Sequence, residues 1–88
     1  MDRTERGTRN LAKLRAIQNN GGRGAVTFWN PTEADKSRVT VRFTEADVVV
    51  KTYEAISEDL RPRLIHMLAT MAGFVKLHAF AWDHAEYR

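Results

Sequence analysis

The chain contains no cysteine, and its 88 residues include only two prolines, five glycines and two serines. Without cysteine it can form neither a disulfide staple nor a thiolate metal site, and nothing marks an oxidising compartment. The two serines, Ser37 in a turn and Ser57 at a helix start, sit in no G-x-S-x-G elbow that would make either one a nucleophile. Three histidines, His66, His78 and His84, are spaced by 12 and 6 residues. No pair falls at i, i+4, where two imidazoles on one helical face share an ion. His84-Ala85-Glu86 has the H-x-E form of the zinc deaminases but lacks their P-C-x-x-C partner. Glu58 and Asp59 are adjacent in a helical first turn, where they serve the helix dipole rather than acid/base work. Long apolar runs are also missing: the most apolar stretch, residues 64 to 82, is interrupted by His66, Lys76 and His78. Neither a membrane span nor an N-terminal signal core is therefore expected. Together these absences predict a cytoplasmic protein that is not an enzyme, with no catalytic residues, no metal and no cofactor.

What is present fits one small globular domain over residues 1 to 88, with 43% apolar and 28% charged side chains. So short a chain buries only roughly 60 to 65% of the surface its unfolded form exposes, which makes pairing with a second copy the expected supplement. The net charge of +3 is unevenly placed. Residues 1 to 24 carry six basic groups (Arg3, Arg6, Arg9, Lys13, Arg15, Arg23) against Asp2 and Glu5, or +4; residues 25 to 88 carry eight against nine, or −1. A basic arm of this kind suits an acidic protein surface or a nucleic acid.

The periodicity predicts an α+β domain. Over residues 4 to 19, Leu11, Leu14, Ile17 and Gln18 share one side of a helix while Arg6, Arg9 and Lys13 form a basic ridge on the other. Gly7 is expected to fray its start, and Asn19, Asn20, Gly21 and Gly22 to end it. The period then changes to two. Val26 and Phe28 alternate with Thr27 and Trp29 up to Asn30-Pro31, and Val39, Val41 and Phe43 alternate with Arg38, Thr40, Arg42 and Thr44. With residues 48 to 53 as a third strand, this makes an antiparallel meander covered by the segment after residue 57. There Asp59 is the expected cap, Pro62 falls in the first turn, and Leu64, Leu68, Met71, Val75 and Trp82 align as one stripe through Gly73. A single helix over residues 60 to 85 would run about 39 Å, longer than the diameter of about 30 Å of a compact chain of this size. Its overhang, presenting Leu77, Phe80 and Trp82, is the expected homodimer surface. A break at Gly73 with a fourth strand over residues 74 to 82 is the alternative.

Gly21-Gly22-Arg23-Gly24 lacks the Gly-Lys-Ser/Thr ending of a phosphate-binding loop. It has the bare G-x-x-G spacing of the KH clamp, but that clamp joins two helices, whereas here a strand comes next. The loop is therefore read as a helix stop and hinge that presents Arg23. The functional expectation is a regulator, inhibitor or adaptor, of the kind found among compact phage and mobile-element accessory proteins. It would hold an acidic protein partner through Arg6, Arg9, Lys13 and Arg23. The alternative is a nucleic-acid-binding module in which Arg38, Arg42 and Trp29 share one sheet face.

Overall fold

In a computed structural model that describes residues 2–29 and 36–83, the first helix, α1 (Arg3–Asn20), opens on an Asp2 cap whose side chain accepts the Glu5 N–H at 2.8 Å. The chain continues through β1 (Arg23–Trp29), β2 (Lys36–Arg42), α2 (Phe43–Ala55), a short 3₁₀ turn (Glu58–Leu60), α3 (Arg61–Leu68) and α4 (Met71–Asp83). The α+β class agrees with the sequence. Two expected elements do not: the sheet is an antiparallel two-stranded hairpin rather than a three-stranded meander, and the long C-terminal helix is two helices.

The first helix is no arm. Leu11, Leu14 and Ile17 are buried as their spacing implies, and α1 packs against α2, α3 and β1. Gly7 is buried at its crossing with α3 instead of fraying, because a Cβ there would overlap the Ile65 carbonyl. After Asn20, Gly21 and Gly22 take φ of 71° and 74°, the left-handed region that glycine enters without a steric penalty. The joint is also pinned, since the Gly21 N–H donates to Ile17 O and the Gly22 carbonyl accepts the Phe43 N–H at 2.7 Å.

Residues 48 to 53, expected as a third strand, lie inside α2. Glu45 sets the helix start by reaching back, its Oε1 accepting the Arg42 N–H at 2.9 Å. Ala46, Val49, Val50 and Tyr53 then recur at i, i+3, i+4 and i+7 on one face, while Val48 is buried as well because α2 lies between α1 and α4. Burial around most of the helix thus overrides the strand preference of the three consecutive valines. Phe43 does not continue the inward row of Val39 and Val41; it is the first residue of α2 and is exposed.

The C-terminal stripe is interrupted at Ala69-Thr70, not at Gly73, and residues 74 to 82 are helix, not strand. Asn10 Nδ2 donates to the Leu68 carbonyl at 2.7 Å, and the Trp29 N–H to the Ala69 carbonyl at 3.0 Å, so α1 and β1 capture acceptors that a continuous helix would use internally. Thr70 restarts the helix, its Oγ1 accepting the Gly73 N–H at 3.1 Å. Gly73 matters for a different reason: a Cβ there would overlap the Met67 carbonyl, so glycine lets α4 fold back on α3. Pro62 does sit in the first turn of α3, although Leu60 rather than Asp59 is its cap. The core gathers Leu14, Val26, Phe28, Val41, Val49 and Leu68, and the Phe28 and Phe74 rings stack at 4.5 Å. The described chain has a radius of gyration of 12.0 Å and a longest extent of 36 Å.

Candidate polyanion-binding face

Strand alternation and register together build the site. Gly24, Val26 and Phe28 on β1 pair with Val41, Val39 and Ser37 on β2 and face the helices. The other face therefore carries Arg23 opposite Arg42, Ala25 opposite Thr40, Thr27 opposite Arg38, and Trp29 opposite Lys36. Arg23, Lys36, Arg38 and Arg42 are all exposed. Neither strand contains an acidic residue. Six residue steps at about 3.4 Å spread this cationic face over about 20 Å. Arg23 and Arg42 stand directly opposite each other, an arrangement that disfavours the free hairpin by like-charge repulsion.

Trp29, Arg38 and Arg42 do share one sheet face, and Arg23 joins them as the first residue of β1 rather than as a loop tip. Trp29 is not an open stacking platform. The Arg6 guanidinium lies against its ring, and Lys36 Nζ stands 5.8 Å from the ring centroid. Arg6 itself is only 8% exposed and donates through Nε to the Asp2 carbonyl at 3.3 Å, so it is not presented to a partner as a basic ridge would require. Arg9 and Lys13 remain exposed. Both lie within about 60° of Arg6 around the helix. The Arg6 contact with Trp29 and the packing of Ile17 against Gly24 run α1 antiparallel to β1, which turns this side of the helix toward the hairpin.

The expected self-association residues do not form one surface. Leu77 is 2% exposed and belongs to the core, a correction that stems from the bend at Ala69-Thr70. Phe80 and Trp82 are exposed, but two residues apart on a helix they point about 160° away from each other.

A cleft of about 260 Å³ opens at the Arg42 end of the hairpin, lined by Arg42, Thr44, Glu45, His78 and Trp82. His78 is held in an aromatic column, with Phe74 at 6.0 Å and Trp82 at 6.1 Å between ring centroids. Its buried Nε2 faces Glu45 Oε2 at 3.8 Å, beyond hydrogen-bond distance. Sequence periodicity does not reveal this cleft, because the i, i+4 step from His78 to Trp82 becomes informative only once residues 74 to 82 are helix and α2 lies beside them. Lys36 is not among the residues that sequence patterning singles out, although the alternation of Lys36, Arg38, Thr40 and Arg42 places it on the same face.

Among the described residues no three His, Cys, Asp or Glu side chains converge as metal ligands, and no helix is long and apolar enough to cross a membrane. His84 and the segment 30–35 lie outside the described residues. Comparison with known protein families, with curated proteins and with solved structures finds no match.

Proposed function

We propose that this protein is a non-enzymatic recognition module that binds the phosphate backbone of single-stranded nucleic acid across the outer face of its hairpin. The supporting observation is the register that sets Arg23, Arg42, Arg38 and Lys36 on one face, to which neither strand adds an acidic residue. Opposed arginines weaken the isolated hairpin, and a polyanion laid between them converts that repulsion into attraction. The reading takes a flexible single strand as the ligand, because a backbone free of duplex geometry can follow the narrow row of Arg23, Arg42 and Arg38 along one hairpin. The acidic-protein reading used Arg6, Arg9, Lys13 and Arg23 as one ridge, and it loses weight with Arg6 buried under Trp29. The homodimer expectation rests on the small core and on an overhanging helix, and it loses the second support with the helix divided into α3 and α4. A filter-binding titration with random single-stranded DNA and RNA, run beside polyglutamate, tests the proposal. Retention of nucleic acid at low salt supports it; retention of polyglutamate alone would return the acidic-protein reading.

A further inference from the structure

We infer that the cleft at the Arg42 end of the hairpin receives one unstacked base of the bound strand. This inference rests on the nucleic-acid reading of the hairpin face and adds to it a part that recognises something other than phosphate. Arg42 belongs to both surfaces: it ends the outer row of β2 and also lines the cleft, so a backbone held by Arg42 delivers the adjoining nucleotide to the cleft mouth. Beyond Arg42 the walls change from cationic to aromatic. Trp82 is 40% exposed at the rim, and the column from Phe28 through Phe74 to His78 supports it from below. A planar ring system is the ligand that such a wall accepts, and stacking on an aromatic side chain is tolerant of base identity. The volume of about 260 Å³, below the roughly 300 to 1,000 Å³ of sites for drug-sized molecules, has room for one planar base. Thr44 and Glu45 also line the cleft and add polar oxygen atoms to it. Glu45 accepts the Arg42 N–H at 2.9 Å, which ties the first turn of α2 to the end of β2 beside the cleft-lining Arg42.

The experiment compares a single strand of about twelve nucleotides with an abasic strand of the same length, using fluorescence anisotropy at several salt concentrations. The strand with bases is expected to bind about tenfold more tightly than the abasic one, the scale of one stacked base. Trp82→Ala should erase that difference and leave the salt slope unchanged, while Trp82→Phe should keep most of it. Equal affinity for both strands, or a base-dependent difference that survives Trp82→Ala, overturns the cleft assignment alone. Failure of every strand to bind overturns the hairpin reading with it.

Discussion

Asn10 in α1 donates its side-chain amide to the Leu68 carbonyl at 2.7 Å, joining residues 58 positions apart at the bend between α3 and α4. The amide is buried, so its loss leaves a carbonyl with neither the protein donor nor water. Asn10→Ala is expected to lower stability by about 1 to 3 kcal/mol. Asn10→Asp should be worse, because it sets a buried carboxylate against the same carbonyl oxygen. Urea denaturation reads both as shifts of midpoint at constant slope. A wild-type midpoint in Asn10→Asp would show that this contact does not shape the bend.

Gly7 and Gly73 should both resist replacement by alanine, against helix propensity. Each lies within a helix, where alanine is normally better than glycine by roughly 1 kcal/mol. Here an added Cβ would overlap the Ile65 or the Met67 carbonyl, and backbone does not yield as a flexible side chain does. Net destabilisation of about 1 to 3 kcal/mol is expected for each, from the overpacking term. A rise in melting temperature for either variant would contradict the close approach.

Arg6 acts in the fold before any partner is present. Arg6→Ala removes both its packing on Trp29 and the hydrogen bond to the Asp2 carbonyl, and should destabilise the chain by about 1 to 2 kcal/mol. A red shift of tryptophan emission should accompany the loss, visible in a Trp82→Phe background that leaves Trp29 as the reporter. Arg9→Ala, at an exposed position, should change stability by less than about 0.5 kcal/mol.

The sequence made the hairpin face legible and left the helical partition hidden, for separable reasons. Alternation in Val26, Phe28, Val39 and Val41 reports a sheet with one wet face, and that pattern is local. Residues 48 to 50 are three valines whose helical state depends on burial from two sides, by α1 and α4, which no local window contains. The bend at Ala69-Thr70 is likewise imposed from outside, by Asn10 and by the Trp29 N–H. Gly73 carried a true signal with the wrong meaning: it marks a close approach to Met67 and not a helix end. In the candidate site, strand parity places Arg38, Arg42 and Trp29 correctly on one face. Arg6 departs from the projected ridge because helical projection gives a direction but not the Trp29 ring that the guanidinium packs against.

The repulsion between Arg23 and Arg42 should itself be measurable. Arg23→Thr is expected to stabilise the free protein by a few tenths of a kcal/mol at low ionic strength. The gain should fade toward 1 M salt, where charges are screened beyond about 3 Å. Thermal melts of the two proteins across a salt series give the comparison, and a salt-independent difference would mean that charge is not its source.

The most direct test of the hairpin face as the functional surface is the salt dependence of single-stranded DNA binding by the wild type and by a variant with Arg23, Arg38 and Arg42 all changed to threonine. Three phosphate contacts at about −0.7 each give a logarithmic slope of about −2 from these arginines alone. The wild-type slope should therefore be at least that steep, and the variant should lose about two units of slope while keeping its fold by circular dichroism. A wild-type protein that binds no strand at the lowest salt, or a variant whose slope matches the wild type, would rule out the hairpin face as that surface.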